Sequence, residues 1–299
     1  MTPMPGRPSG AGEMTQGARP VHGLSVDVED WFQVWALSGA IRREDWDGLE
    51  LRVEASTGRL LDLFAEKGAS ATFFCLGWVA ERRPGLIRRM VAEGHEVASH
   101  GYDHVKVFAQ DEAAFRADVS KTKAILEDLS GRPVRGYRAA GFSMDARTPW
   151  AHRVLAETGH AYSSSTHPIA HDHYGDAHGP MTPFQAAGIT ELPVAVREIA
   201  GRRTTIAGGG WFRAMPVPLT KRLWRGLEAE GRRGVFYLHP WEVDPGQPKV
   251  AGLSAKSHLR HRLNLGTNEA KLGAMLDAFA WSRIDEAFAD EIAPAKAAA

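Results

Sequence analysis

The chain has 299 residues, of which 43% are hydrophobic, and its 36 basic and 36 acidic side chains give a formal net charge of zero. This balance argues against a nucleic-acid groove or an anionic membrane surface and favours a partner that is uncharged or small. The length suits one large domain, and a single cysteine excludes an intrachain disulfide framework. That residue, Cys75, lies in an apolar run, which predicts a buried and unreactive thiol.

The two ends of the chain differ in composition from the rest. Residues 1–20 are rich in Gly, Pro, Thr and Met, lack the apolar core of a signal peptide, and are predicted to form a disordered leader. Residues 291–299 are predicted to be a disordered tail. No stretch approaches the roughly 18 apolar residues that a membrane span needs, so a cytoplasmic location is expected.

From Gly23 onward, apolar runs alternate with amphipathic segments. Strands are predicted, in chain order, at residues 24–27, 71–76, 94–98, 134–138, 161–165, 191–194 and 234–238. Helices with an apolar stripe are predicted between and after them, at residues 60–67, 84–93, 115–130, 150–157, 219–227 and 272–279. Six or seven strand and helix units predict a mainly parallel sheet that closes into a barrel.

Two stretches show no clear periodicity. Residues 166–190 are predicted to be a long loop, and residues 245–266 are predicted to be linker-like. The first stretch contains four histidines, which could indicate a second metal site. Their irregular spacing instead favours solvated or substrate-facing side chains at His167, His171, His173 and His178.

Polar clusters follow three of the predicted strands, in a barrel where the carboxyl ends of parallel strands converge on one face. Three acids occur within residues 27–30, two histidines lie four residues apart at His100 and His104, and His239 follows the last strand. Two imidazoles at this spacing can reach one cation from the same side of a helical turn, and a catalytic zinc typically takes three protein ligands. Capping acids and surface histidines are the alternative. Convergence of the clusters favours a metal centre flanked by a base and an acid.

The sequence resembles the polysaccharide deacetylases, the NodB-like carbohydrate esterases, over residues 24–289, and within them the subgroup found with exosortase-linked exopolysaccharide loci. Five motifs in the family's order carry this resemblance: Ser25-Val26-Asp27-Val28-Glu29-Asp30-Trp31-Phe32, Ser99-His100-Gly101-Tyr102-Asp103-His104, Gly136-Tyr137-Arg138-Ala139-Ala140-Gly141-Phe142-Ser143, Gly208-Gly209-Gly210-Trp211-Phe212-Arg213 and Tyr237-Leu238-His239-Pro240-Trp241-Glu242. The resemblance implies a distorted (β/α)7-type barrel, a single domain over residues 21–290. The part specific to the subgroup begins near residue 200.

The resemblance also implies a divalent metal, usually zinc, with cobalt, manganese or nickel as alternatives. Two of its ligands match His100 and His104, and the catalytic base matches Asp27. Because Val28 follows the base, the acid ligand is either Glu29 or Asp30. Strand alternation places Glu29 on the same side as Asp27, whereas Asp30 reaches the metal only if the strand has already turned.

Further roles are implied by the remaining motifs. Arg138 would pair with the catalytic base, His239 would protonate the leaving amine, and a backbone amide near Gly141 would stabilise the oxyanion. The sequence departs from the family at Ala140, where a proline is usual, and at Ser163, where relatives have an aspartate. Candidate substrate-binding residues are Gly141, Phe142, Trp31, Trp211, Arg213 and Trp241, with core packing as the alternative for each tryptophan.

The function implied by the resemblance is removal of N-acetyl groups from amino sugars of an exopolysaccharide, by hydrolysis through a metal-bound water. One alternative keeps the fold but changes the substrate to peptidoglycan or to small cyclic or ureido amides. Another is a carbohydrate-binding relative without turnover, which the two departures make conceivable. The expected partner is an N-acetylated polysaccharide or oligosaccharide, with no nucleic acid.

Overall fold

The computed structural model describes residues 19–170 and 175–292 of the chain. The strands are β1 (Val21–Val28), β2 (Thr72–Cys75), β3 (Glu96–Ser99), β4 (Gly136–Tyr137), β5 (Tyr162–Ser163), β6 (Phe184–Ala186), β7 (Ile189–Glu191), β8 (Val196–Ile199), β9 (Arg202–Thr205), β10 (Val235–Leu238) and β11 (Ala280–Ser282). The helices are α1 (Val53–Lys67), α2 (Gly77–Arg82), α3 (Pro84–Ala92), α4 (Glu112–Ser130), α5 (Ala151–Glu157), α6 (Gly209–Ala214), α7 (Val217–Ala229), α8 (Ala255–Arg262), α9 (Leu265–Leu276) and α10 (Ile284–Ala287). Short 3-10 helices occupy Trp35–Leu37, Arg43–Gly48, Val107–Ala109, Ala140–Phe142 and Pro240–Val243.

Nine strands form one mainly parallel sheet, in the order β10, β1, β2, β3, β4, β5, β7 and β6, with β11 added beside the first half of β1. Strand β1 is central, since its Val26 lies opposite both Leu238 and Phe73. A single bridge between Val194 and Val235 connects the segment after β7 to β10, so the sheet curls into a distorted barrel. The predicted fold class is confirmed.

The core explains why the predicted strands and helices form. In β1 the side chains of both faces are buried, as expected where helices cover one face of a parallel sheet and the barrel interior the other. Helix α1 buries Leu60, Leu61 and Phe64 and ends at Gly68, whose φ of 62° is left-handed. Helix α4 starts at Asp111, whose side chain accepts a hydrogen bond from the Ala114 amide.

The structure differs from the sequence predictions at several segments. Residues 166–190 were predicted to be a loop, but they contain β6 and the start of β7, an antiparallel hairpin that turns at Gly188 with a φ of 94°. Residues 245–266 were predicted to be linker-like, but they contain α8. Of the predicted leader and tail, residues 1–18 and 293–299 lie outside the described part. Within the described ranges, none of the helices combines the length and apolarity needed to cross a membrane.

Candidate metal centre and active site

A cavity of about 210 Å³ opens where β1, β3 and β10 end. The three polar clusters that the sequence pointed to meet there, because these strands are parallel and place their carboxyl ends on one face. Residues from the first, second, third and fifth motifs line it: Asp27, Glu29, His100, His104, Gly141, Phe142, Tyr237, His239, Trp241 and Glu242.

Glu29, His100 and His104 form a group whose ligand atoms all lie within 4.8 Å of one another. The Nδ1 atom of His100 lies 2.8 Å from the Arg138 carbonyl oxygen and donates to it, which leaves the Nε2 lone pair for a metal. The buried Glu29 Oε2 atom lies 2.9 Å from His104 Nε2, yet it accepts no well-aligned hydrogen bond from the described residues. An orphaned buried oxygen beside two imidazoles fits a divalent metal of the zinc type.

The charge on Glu29 is stabilised by the same neighbours. Burial alone would raise the pKa of Glu29, but the nearby imidazoles of His104, His239 and His100 hold that pKa below its usual range. The indole of Trp241 donates to the other carboxylate oxygen at 3.1 Å. Glu29 is therefore a charged, oriented acceptor at the bottom of the cavity.

Asp30 lies outside this group. Its carboxylate accepts hydrogen bonds from the backbone amides of Trp31 at 2.8 Å, Arg52 at 2.8 Å and Val53 at 3.0 Å, the last at the start of α1. Burial raises the pKa of Asp30 to about 6 despite these bonds. The structure thus places Glu29 beside the histidines, whereas Asp30 accepts from the amides at the start of α1. Strand β1 ends at Val28, and the Glu29 amide donates to the Asp27 carbonyl oxygen at 3.0 Å, so Glu29 is placed by a turn that follows the strand.

The loop that follows β3 positions the two histidines differently from the sequence prediction. His104 does not lie on a helical turn: residues 101–106 are irregular, and His104 itself has a φ of 62°. The two imidazole centroids are 5.2 Å apart. Asp118 on α4 helps to hold this loop by accepting from the Tyr102 amide at 2.9 Å. A left-handed backbone at a residue other than glycine is strained, and such strain concentrates at functional sites.

Asp27 and Arg138 form a buried ion pair with 2.7 Å between Oδ1 and Nη1. The guanidinium also donates to Ser25 Oγ at 2.7 Å and to the carbonyl and hydroxyl oxygens of Ser164 at 2.9 and 2.8 Å. It packs 4.1 Å above the Phe74 ring. Because Arg138 is fully buried and held on every side, it fixes the orientation of Asp27.

The two departures from the family pattern are compensated locally. The Ala139 amide, next to the missing proline, donates to Ser165 Oγ at 2.9 Å, and that hydroxyl pairs with Ser163 Oγ at 2.7 Å. A buried carboxylate is nevertheless present in this region: Glu191 on β7. It accepts hydrogen bonds from the amides of Ser165 and Thr166, both at 2.7 Å. The loop is therefore anchored by hydroxyls and Glu191.

His239 is held by Glu242, a residue to which the sequence analysis assigned no role. Its Nδ1 atom lies 3.1 Å from Glu242 Oε2, and its Nε2 atom faces Glu29 at 3.5 Å and Asp27 at 3.9 Å. Burial alone would lower the pKa of His239, but the three carboxylates outweigh it and raise the pKa to about 9. Glu242 follows His239 by three residues in the fifth motif, and this spacing is the sequence feature that could have indicated their contact.

Arg213, which is predicted to bind substrate, lines a second cavity next to the metal centre and forms a buried ion pair. It is 3% exposed, and its Nε atom donates to Glu242 Oε1 at 2.7 Å. Its Nη1 atom donates to the carbonyl oxygens of His261 and Leu263 at 3.0 and 2.8 Å. Although burial favours the neutral acid, Arg213 and His239 lower the pKa of Glu242 to about 2. Arg213 thus keeps Glu242 charged behind His239.

The three candidate tryptophans have different environments. Trp31 is buried in the core against Phe32 and donates to the Glu50 carbonyl oxygen at 3.1 Å, which favours the core-packing alternative for this residue. Trp241 stacks between His239 and His261, with centroid distances of 5.2 and 4.6 Å, and lines the cavity. Trp211 is 45% exposed and lines an adjoining cavity.

The loop that contains Gly208, Gly209 and Gly210 packs closely against β10 and also lines the cavity. A Cβ atom on Gly208, whose φ is 142°, would lie 1.8 Å from the Tyr237 carbonyl oxygen, so only glycine allows this approach to β10. Gly209 and Gly210 line the cavity together with Gly141 of the third motif and its neighbour Phe142.

The histidines after residue 166 form no second metal group within the described chain. His167 is buried, with Nε2 2.8 Å from Thr205 Oγ1, and His178 is exposed. His171 and His173 lie outside the described residues.

Comparisons with known proteins agree with the fold and the motifs. Residues 46–163 match the family model described as polysaccharide deacetylase, and residues 164–289 match a domain of unknown function (DUF3473). The match to the polysaccharide deacetylase model thus covers less than half of the chain. The second model covers the region that supplies His239, Glu242 and Arg213.

Curated relatives match over about a third of the chain. A chitooligosaccharide deacetylase of Sinorhizobium fredii is 37% identical over 114 residues, which cover 37% of this chain and 49% of that protein. A peptidoglycan-N-acetylglucosamine deacetylase of Bacillus cereus is 32% identical over 96 residues, covering 32% of this chain and 35% of that protein. The matched region thus spans less than half the length of these relatives.

Solved structures match over nearly the whole fold. A Mycobacterium smegmatis protein described as a candidate polysaccharide deacetylase superimposes with a TM-score of 0.60 at 22% identity, covering 95% of this chain and 96% of that one. The PuuE allantoinase superimposes with a TM-score of 0.58 at 18% identity, covering 93% of each chain. At these identities the likeness establishes the fold.

Proposed function

We propose that this protein is a metal-dependent hydrolase that removes N-acetyl groups from amino sugars of an exopolysaccharide. The observation that carries the proposal is that a carboxylate and an imidazole, Asp27 and His239, flank the Glu29, His100 and His104 group within one cavity. Each of the two is held by its own buried partner, Arg138 or Glu242. This is the constellation that amide hydrolysis needs.

Glu29, His100 and His104 would hold the metal, with zinc the best match to the donor set. When bound, the metal supplies Lewis acidity for the acetamide carbonyl and for the attacking water. The Asp27 carboxylate, fixed by Arg138, accepts the proton of that water. The protonated His239, with Nδ1 held by Glu242, then donates from Nε2 to the leaving amine. A backbone amide near Gly141 supports the developing oxyanion.

The test is acetate release from N-acetylglucosamine oligomers and from an N-acetylated exopolysaccharide. The full chain is stripped with a chelator and reloaded with zinc, cobalt, manganese or nickel. We expect release only after reloading, and release slowed about 10²–10⁴-fold in the Asp27→Asn variant. Failure to release acetate from any amino-sugar substrate with any of these metals would contradict the proposal.

Three alternatives use the same cavity. A peptidoglycan deacetylase is favoured by the Bacillus cereus relative, whose name states that activity, and peptidoglycan therefore belongs in the substrate panel. Small cyclic or ureido amides belong in it as well, and exclusive turnover of one of them would replace the amino sugar. A carbohydrate-binding protein without turnover would bind the oligomers yet release no acetate.

A further inference from the structure

The metal-centre cavity does not end at the catalytic residues. A second cavity of about 380 Å³ adjoins it, and the two share Val34, Ala36, Gly210 and Trp241 as lining residues. The two cavities are therefore direct neighbours, and together they are called the trough below. A trough that extends past the reacting centre suits a polymer, because sugar units on either side of the reacting one need a surface to rest on.

Exposed tryptophans border this trough. Only two of the nine tryptophans are exposed, Trp35 at 49% and Trp211 at 45%. Trp35 lines the metal-centre cavity and Trp211 the adjoining one. Large aromatic faces left in water next to a cleft are typical of binding surfaces, and their apolar faces suit the C–H faces of sugar rings.

A cation without a carboxylate partner lies in each part of the trough. Arg260 is exposed on α8, lines the cavity beside Trp211, and forms no ion pair within the described residues. Lys106 lines the metal-centre cavity, is only 7% exposed, and has its Nζ atom 3.6 Å above the ring of Trp35. It too has no carboxylate partner among the residues described. Buried cations are normally paired, so Lys106 stands out.

The negative groups of the trough are already compensated. Asp27 is paired with Arg138 and Glu242 with Arg213, while Glu29 belongs to the candidate metal group. In addition, residues 245–268 contain no Asp or Glu but four Lys and Arg residues. The net charge of zero for the whole chain therefore conceals a local excess of positive charge beside the candidate active site.

We propose that the trough binds an acidic glycan, in which a sugar bearing a carboxylate lies beside Trp211 and Arg260 while an N-acetylated neighbour occupies the metal-centre cavity. Lys106 and Trp35 contact the chain on the metal-centre side. This proposal rests on the proposed function and narrows its substrate to an anionic amino-sugar polymer. Charge complementarity gives specificity here, since the net contribution of an exposed pair to affinity is modest.

Binding without turnover tests this directly. The probes are a hyaluronan tetrasaccharide, which alternates N-acetylglucosamine with glucuronate, and the same tetrasaccharide with its carboxylates reduced to alcohols. Calorimetry uses the full chain in chelator, so that no turnover consumes the ligand. We expect the acidic probe to bind about three- to tenfold more tightly than the reduced one, with a smaller difference at high salt.

Variants of the trough residues show which side chains cause the preference for the acidic probe. Arg260→Gln and Lys106→Gln should each weaken binding of the acidic probe by a larger factor than binding of the reduced probe. Lys256→Gln is the matched control, because Lys256 is an exposed cation on the same helix that does not line the trough. Equal binding of the two probes, no binding of either, or a preference that survives in both trough variants would overturn the inference.

The two proposals fail separately. If the acidic probe binds in the Arg260-dependent way but no substrate releases acetate, the binding inference stands and the deacetylase function is wrong. If acetate is released equally from neutral and acidic oligosaccharides, with equal KM, the function stands and the acidic specificity is wrong.

Discussion

The carboxylate of Glu242 lies 3.1 Å from Nδ1 of His239, and its other oxygen accepts from Arg213 Nε at 2.7 Å. A buried charge behind the imidazole stabilises the protonated ring and fixes which nitrogen faces the cavity. Glu242 therefore acts through His239, as a positioning residue for the proton donor.

Glu242→Gln should keep the metal but lower kcat about ten- to hundredfold, a part of the 10²–10⁴-fold range of general acid and base catalysis. Removing the negative charge lowers the pKa of His239, and the general acid must be protonated. The alkaline limb of the pH–rate profile should therefore move to lower pH. The measurements are pH–rate profiles and metal content, with the exposed Glu44→Gln as the control. A lower rate with an unmoved alkaline limb would indicate a structural role alone.

The histidine pair gives a second prediction. His100→Ala or His104→Ala should lower metal content and abolish activity together, because two remaining protein ligands hold a divalent ion poorly. Metal analysis after dialysis, with circular dichroism to check folding, is the measurement. His178→Ala, at an exposed position outside the group, should retain both. Full metal occupancy in either of the first two variants would mean that the site lies elsewhere.

Much of the fold could be predicted because β2 and β10 are mainly apolar runs, and because β1 and β3 carry apolar residues directly before polar motifs. The short hairpin of β6 and β7 could not, since three-residue strands show too little alternation to detect. In the site, the motifs led to Asp27 and Arg138, but the partner of Arg138, Ser164, lies 26 residues away. Arg213 and Glu242 are separated by 29 residues. Such pairs depend on tertiary packing, which local pattern does not encode.

A third prediction concerns stability at acid pH. His160 is buried between Tyr137 and the end of α5, with Nδ1 3.1 Å from Thr158 Oγ1. Burial, with a smaller effect of Lys123, lowers the pKa of His160 to about 3 from an unfolded value near 6.5. The unfolded state therefore binds a proton that the folded state does not, and stability falls as pH drops below 6.5, by about 1.4 kcal/mol per pH unit for one such group.

Urea unfolding of the chelator-treated protein between pH 4.5 and 7.5 measures this slope. The free energy of unfolding of the His160→Leu variant should depend less steeply on pH over that range. The slope should be smaller by up to the contribution of one proton, whatever the variant's stability at neutral pH. The exposed His178→Leu variant should keep the slope of the original chain. Equal slopes for His160→Leu and the original chain would show that His160 is protonated in the folded state.

The last prediction separates base, ligand and cap within the first motif. Asp27→Asn should retain the metal yet lose about 10²–10⁴-fold in turnover, because the amide keeps the shape but cannot accept the proton. Glu29→Gln should lose the metal, since its Oε2 atom is the buried oxygen left without a hydrogen bond beside His104. Asp30→Asn should keep the metal and lower stability by about 1 kcal/mol, because its carboxylate caps α1.

Metal content, turnover and urea unfolding measured together on these three variants distinguish the roles, because each variant changes a different quantity first. Asn and Gln preserve side-chain volume, so packing of Asp27, Glu29 and Asp30 is disturbed as little as the chain allows. If only the Asp27→Asn variant lost the metal, Asp27 would be the ligand and Glu29 the base. Loss of metal from Asp30→Asn alone would mean that the end of β1 rearranges when the ion binds, because Asp30 would have to leave the Arg52 and Val53 amides to reach it.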